Sequence, residues 1–346
     1  MRTGIYCALA GALLFGASTP VAKLLVGELP PLMLAGLLYA GSGAGLSAWL
    51  LARATRSGGR RLAFPRSDYP WLFGTVLAGG IVAPVLLMLG LAGTEASSTS
   101  LLLNLEGVFT ALLAWFVFRE NFDRRILLGM LLIVCGGALL AWRPGGAAFS
   151  WPALAVAGAC FFWAIDNNLT RRIAGGDAVL IAAVKGVAAG VVNLSLAAAL
   201  GASVAKPALL AAAALVGFAG YGVSLVLFVV ALRHLGAART AAYFSIAPFL
   251  GAALSFALLG ESQTTLFWAA SLLMAIGVAL HLAERHGHAH SHETISHEHA
   301  HTHDEHHQHE HEPGWDGKEP HTHPHSHAPL RHSHPHYPDI HHRHSH

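Results

Sequence analysis

The chain has 346 residues, 54% hydrophobic and only 12% charged, with a mean hydropathy of +0.50. That balance excludes a chain that stays unfolded throughout, and no nucleic-acid partner is expected. The formal net charge of +2 hides an asymmetry: residues 1–285 carry 18 basic against 10 acidic side chains, residues 286–346 carry 3 against 9, and 23 of the 25 histidines lie in that last block. The two segments are therefore read separately.

The first segment is built of apolar runs near twenty residues long, the length that about 30 Å of hydrocarbon asks of a spanning helix. In chain order the predicted spans are 4–26, 32–52, 71–92, 96–118, 125–142, 151–170, 178–200, 207–232, 240–260 and 265–283. The opening MRTGIYCALAGALLFGASTPVA imitates a signal peptide, but it is long enough to cross and further spans follow, so it is read as the first of them. Cys7, Cys135 and Cys160 fall inside spans without paired spacing and read as small apolar core residues.

Basic residues alternate sharply from loop to loop. Arg53, Arg56, Arg60, Arg61 and Arg66 crowd one loop, Arg119, Arg124 and Arg125 another, and Arg171, Arg172, Arg233 and Arg239 follow, whereas the opposite loops hold Arg143 and Lys206. Basic loops face the cytoplasm. The expectation is a multi-pass protein of the plasma or inner membrane, with both termini and the histidine tail cytoplasmic.

Sliding the chain on itself by 141–147 residues aligns five spans with the next five, pairing LAGALLFGASTP with AVAGACFFWAIDN and LLAWFVFRENF with ALSFALLGESQ. Gly11 then faces Gly158, Gly136 faces Gly277, and Glu120 faces Glu261. An odd number of spans per half forces the halves into opposite orientation. Inverted repeats of this kind build secondary transporters, with the solute site near mid-bilayer where the halves meet.

The stretches LLLNLEGVFTALLAWFVFREN and GMLLIVCGGALLAW, with AAYFSIAPFLGAALSFALLGES and LLMAIGVAL, resemble the two copies of the EamA domain in the drug/metabolite transporter superfamily, over roughly residues 4–283. The resemblance implies an all-α membrane fold of ten helices in two inverted five-helix repeats, cytoplasmic termini and a central cavity for a small solute. The repeats fall at 1–142 and 151–285, followed by a tail at 286–346. One departure stands out: Gly107 replaces the usual proline before VFT, while Pro248 keeps its place in the second copy, which leaves open whether the fourth helix bends as the ninth does.

Ionisable groups inside a bilayer are costly and mark pathways or structural pairs. Glu106, midway along its span, reads either as a carboxyl for a cationic or proton-coupled substrate or as a structural group hydrogen-bonded to a neighbouring helix. Asn104, two residues earlier, turns away from it by about 200° on a helix. Asp166 and Lys185 come out at similar depth and are candidates for an ion pair, static or gating; Lys185 beside Glu106 is the alternative. Asn167, Asn168 and Thr170 extend that polar face. Tyr221, Tyr243 and Trp163 read as cavity lining or as ordinary packing. GSGAG at 41–45 and GFAGYG at 217–222 read as close helix contacts, since neither sits in the strand–turn–helix setting of a phosphate loop.

The tail alternates histidine with small or polar residues, and its prolines and scarcity of apolar groups predict disorder. In an extended chain residues two apart share a side. His297, His299, His301, His303, His306, His307, His309, His311, His321, His323, His325 and His327 are therefore candidate ligands for divalent zinc, nickel or cobalt. No cofactor is required otherwise.

The sequence favours a secondary transporter of an organic metabolite or drug-like compound, working outward, with a small-molecule substrate, a lipid surround and a metal-binding tail. Direct efflux of divalent metal is the alternative, and a membrane metal sensor that moves nothing is a third reading. A homodimer stays open. No HExxH or Gly-x-Ser-x-Gly motif lies in the spans, so no enzymatic activity is expected.

Overall fold

The computed structural model describes residues 2–56, 64–118, 124–142, 149–173, 176–203, 206–282, 287–292, 295–301, 321–327 and 330–335. Through residue 282 the described chain is helical. The order is α1 (Arg2–Val26), α2 (Pro31–Arg56), α3 (Tyr69–Thr75), α4 (Ala83–Ala92), α5 (Ala96–Leu102), α6 (Leu105–Phe118), α7 (Arg124–Ala141), α8 (Trp151–Ile173), α9 (Ala178–Ala199), α10 (Pro207–Gly217), α11 (Ser224–Phe244), α12 (Ala247–Leu259) and α13 (Thr265–Leu282). Among the described residues six helical runs are long and apolar enough to cross a membrane, and three further apolar helices are shorter.

Local chemistry sets several boundaries. Proline at the start of α2 and α10 suits a first turn whose N–H has no partner. The Asp177 carboxylate caps α9, accepting from the N–H of Val179 at 2.9 Å and Leu180 at 3.3 Å. Gly260, at φ +64°, closes α12 in the left-handed conformation that glycine adopts without strain.

Two rods contain π-helical segments. Val76–Val82 joins α3 to α4, and Phe218–Val223 joins α10 to α11. Such segments are rare and leave carbonyls off the regular ladder.

A third irregularity is the break between α5 and α6. There Leu103 and Asn104 donate backbone N–H groups to Ser100 at 3.2 Å and Leu101 at 3.0 Å, three residues back, and the Asn104 amide reaches the Leu101 carbonyl at 2.9 Å. The fourth predicted span is thus interrupted without a proline, where a side chain competes for the ladder. The ninth breaks at Ser245–Ile246, just before Pro248. The run assigned to α11 does not separate the spans expected at 207–232 and 240–260. Nevertheless, the Phe228 and Phe244 rings are only 5.0 Å apart, where a straight helix would part them by about 24 Å, so the run folds back on itself.

Packing pairs helices distant in sequence. α2 lies along α9, α7 along α13, α1 along α11 and α12, and α8 along α4 and α6. The first two pairs are antiparallel. Gly36 meets Leu194 and Gly43 meets Val187; Gly129 meets Gly277 and His281, and Gly136 meets Ala270 and Met274. At Gly43 a Cβ would lie 2.4 Å from the Val187 nitrogen, so only glycine permits this backbone approach.

Leu34, Leu38, Leu87, Met88 and Leu91 are fully buried at the centre, while Trp49, Phe73, Phe116 and Leu272 stand outward, as lipid-facing groups do.

Residues Arg285–Tyr337 form a separate unit. Its described parts are four strands, β1 (Gly287–His292), β2 (Ile295–His301), β3 (His321–His327) and β4 (Leu330–Pro335), paired antiparallel as β1 with β4 and β2 with β3. The sequence reading expects an irregular tail; these stretches are extended and paired, and alternation every second residue is the period of a strand.

Candidate functional site

A cavity lies among the helices, with Glu106, Asp166, Asn167, Lys185 and Tyr221 in its lining. Each arrives from a different structural cause. The break before α6 places Glu106 in that helix's first turn, where unpaired N–H groups favour a carboxylate. Helix α8 carries Trp163 and, one turn further on, Asp166 and Asn167, and α9 supplies Lys185. The π-helical segment before α11 contributes Gly220 and Tyr221.

Two polar clusters result. The Asn167 amide donates to Glu106 Oε1 at 2.7 Å. Lys185 forms a buried ion pair with Asp166 through Oδ2, and the Thr170 hydroxyl donates to Oδ1 at 3.1 Å, so both oxygens of Asp166 are engaged. Both residues are at most 4% exposed. A buried pair of this kind is held by its mutual neutralisation, and either partner alone would be costly. The alternative pairing of Lys185 with Glu106 is not formed.

The other π-helical segment supports this arrangement. Its Gly79 carbonyl accepts from the Tyr39 hydroxyl at 2.6 Å and from the Trp163 indole at 3.1 Å, and the Gly80 carbonyl accepts from Asn193 at 3.2 Å. A Cβ on Gly79 would lie 2.0 Å from Asp166 Oδ2, so the carboxylate occupies the space that glycine leaves.

An aromatic wall completes the cavity. Phe15 stands at its hub, with ring centroids 5.8 Å from Trp163, 5.9 Å from Tyr221 and 5.7 Å from Phe244; Tyr39 lies 5.5 Å from Tyr221.

Three sequence candidates lie elsewhere. Asn104 is buried on Leu101 and 3.9 Å from the Met274 sulfur, Asn168 donates to the carbonyls of Ala164 at 2.9 Å and Thr110 at 3.3 Å, and Tyr243 packs with Ala8, Ala231 and Leu235. Phe15, Tyr39, Ser224, Phe228 and Phe244 line the cavity without having been singled out in the sequence, where an aromatic in an apolar span carries no mark of its neighbours. The π-helical glycines were the available signal, and they read there only as packing.

Outside the spans, Asp177 also pairs with Arg53. Burial works against ionisation of Asp177, but the Arg53 hydrogen bond and the amides of Leu180 and Val179 outweigh it and hold the carboxyl below its ordinary range. At the opposite end of the bundle, Glu261 accepts from the N–H of Ala96 at 2.7 Å and Ser97 at 2.9 Å, capping α5. Gln263 reaches Glu95 at 2.9 Å and Ser97 at 2.8 Å, and the Lys23 ammonium donates to the carbonyls of Leu91 and Thr94, each at 2.6 Å.

Of the metal candidates, His297, His299 and His301 occupy β2, in register opposite His325, His323 and His321 on β3. His303, His306, His307, His309 and His311 lie outside the described residues, as does Glu120. Among the described residues no cluster of three or more His, Cys, Asp or Glu side chains is placed to hold a metal ion.

Long apolar helices, lipid-facing aromatics and an internal cavity with buried charges define a multi-pass membrane protein. The EamA-like transporter profile matches twice, over residues 2–142 and 150–283, and the chain belongs to that family. An uncharacterized transporter of Methanothermobacter thermautotrophicus is 28% identical over 291 residues, 80% of this chain and 84% of that protein. A probable 4-amino-4-deoxy-L-arabinose-phosphoundecaprenol flippase subunit, ArnE, of Pseudomonas paraeruginosa is 45% identical over 75 residues, 22% of this chain and 63% of that subunit. A crystal structure sharing 20% identity superposes with a TM-score of 0.61 over 81% of this chain and 96% of its own, a likeness of fold. The family is one of membrane transporters, whose substrates are small solutes.

Proposed function

We propose that the protein is a secondary transporter that carries a small organic solute outward by alternating access, with the solute held in the cavity beside Glu106. The observation that carries this reading is the cavity itself: one carboxyl with no ion pair among the described residues, one buried ion pair and an aromatic wall, drawn from helices of both halves of the chain. Ten spans in two inverted five-helix halves, 1–142 and 151–285, form its frame. Three features support that frame. The π-helical segments at Val76–Val82 and Phe218–Val223 are separated by the repeat offset, as are the breaks at Leu103–Asn104 and Ser245–Ile246. The matched helices α2 and α9 pack antiparallel, as do α7 and α13, which supports an operation between the halves that reverses the membrane normal.

The basic loops favour cytoplasmic termini in a plasma or inner membrane. On that orientation the Glu261 cap is external. The tail then lies inside and binds divalent zinc, nickel or cobalt; the three histidine pairs in register across β2 and β3 support this property. Direct metal efflux is the second reading. Against it, Asp166 is engaged by Lys185 and Thr170, which leaves Glu106 a thin site for a transition metal.

The test is a growth and uptake screen of a deletion strain against toxic metabolites and metals, followed by flux in vesicles. Glu106→Gln is expected to abolish flux while the protein inserts normally, and removal of residues 286–346 to leave it measurable. Flux unchanged by Glu106→Gln would take the site away from this cavity.

A further inference from the structure

From the cavity we infer the charge class of the solute: a monovalent organic cation, an ammonium group carried on an apolar body. This rests on the transport reading above and deepens it. The cavity holds two carboxyls against one ammonium. Lys185 is bound to Asp166, whose second oxygen takes the Thr170 hydroxyl, so that group is internally satisfied and offers an anionic solute nothing. Glu106 is in a different position. Its Oε1 accepts one hydrogen bond, from Asn167, and among the described residues Oε2 accepts none. Its counterpart by the repeat offset is the uncharged Ala247, and the ammonium that the second half brings to the cavity, Lys185, is already paired with Asp166. A carboxylate with a vacant oxygen beside a cavity recruits a donor of positive charge, because a charge-assisted hydrogen bond is about twice as strong as a neutral one.

The wall selects the rest of the ligand. Phe15, Trp163, Tyr221 and Phe244 form one connected aromatic cluster around the cavity, and ring faces attract cations and apolar surface together. A bare metal ion would need several oxygen or nitrogen ligands in place of its water, which these rings cannot give. An anion would meet Glu106. An organic ammonium is served by both features at once.

The experiment compares three probes of nearly equal size on the full-length protein in nanodiscs: 2-phenylethylammonium, 2-phenylethanol and 3-phenylpropionate, titrated by calorimetry. The ammonium is expected to bind at least tenfold more tightly than the alcohol, with the carboxylate weakest, and Glu106→Gln to erase the preference. Equal affinities, a preference for the carboxylate, or no binding by any probe in wild-type protein overturns the inference, whether or not the variant folds. Flux in vesicles separates this result from the transport reading: ammonium-selective binding with no solute crossing leaves the charge class standing and removes transport, whereas flux of solutes without ammonium selectivity does the reverse.

Discussion

Glu261 holds the first turn of α5 from the other half of the sequence, accepting the Ala96 and Ser97 N–H groups at 2.7 and 2.9 Å. With Gln263 bridging Glu95 and Ser97, and Lys23 on the carbonyls of Leu91 and Thr94, it closes one end of the bundle. A cap of this kind is worth about 1 kcal/mol, a factor of about five in an equilibrium. In a cysteine-free background carrying Ser100→Cys, a position now 1% exposed, Glu261→Ala should raise the rate of maleimide labelling about fivefold. An unchanged rate would show that the cap does not hold this end closed.

Gly79 leaves the space that the Asp166 carboxylate fills. Gly79→Ala should destabilise the protein by about 1–3 kcal/mol, the usual cost of overpacking, and should displace the Asp166–Lys185 pair. Gly107→Ala is the control. Nothing lies within 4 Å of a Cβ there, and alanine is the better helix former by up to about 1 kcal/mol, so that variant should be neutral or stabilising. Thermal unfolding in detergent reads both, and similar midpoints for the two variants would contradict the packing argument.

Removing one partner of the buried ion pair strands the other. Asp166→Asn should cost about 3–5 kcal/mol, and Lys185→Met a comparable amount. The double variant should recover much of the loss, because no charge is then left unpaired. Additive losses in a double-mutant cycle would show that the two residues act independently.

Asp177 gives a pH dependence of definite sign. Its carboxyl titrates lower in the folded chain than in the unfolded one, where the pKa is about 3.9. Its contribution is therefore fully present above that value and is lost as pH falls through the folded pKa. Asp177→Ala should lower the unfolding midpoint at pH 7, and the gap to wild type should shrink on acidification towards pH 3. Asp177→Asn keeps the cap and loses the Arg53 ion pair, so it should fall between them.

The sequence by itself determined what depends on composition and period. Runs near twenty apolar residues fixed the membrane character, and two copies of a domain-length pattern fixed the family. Glu106, Asp166 and Lys185 were legible as candidates because a charged group in an apolar run is visible wherever it folds. Tertiary structure decided who meets whom. Asn167 reached Glu106 while its neighbour Asn168 turned to backbone carbonyls, a difference of one position on a helix. Phe15, Tyr39 and Phe244 joined the cavity from three separate helices, and no linear pattern encodes a contact between rings so far apart in the chain. The break before α6 likewise comes without a proline, at an asparagine whose side chain takes the Leu101 carbonyl three residues back. Hydrophobic period is a local property and survives translation into sequence; mutual placement of polar groups is a property of packing, and only the folded bundle expresses it.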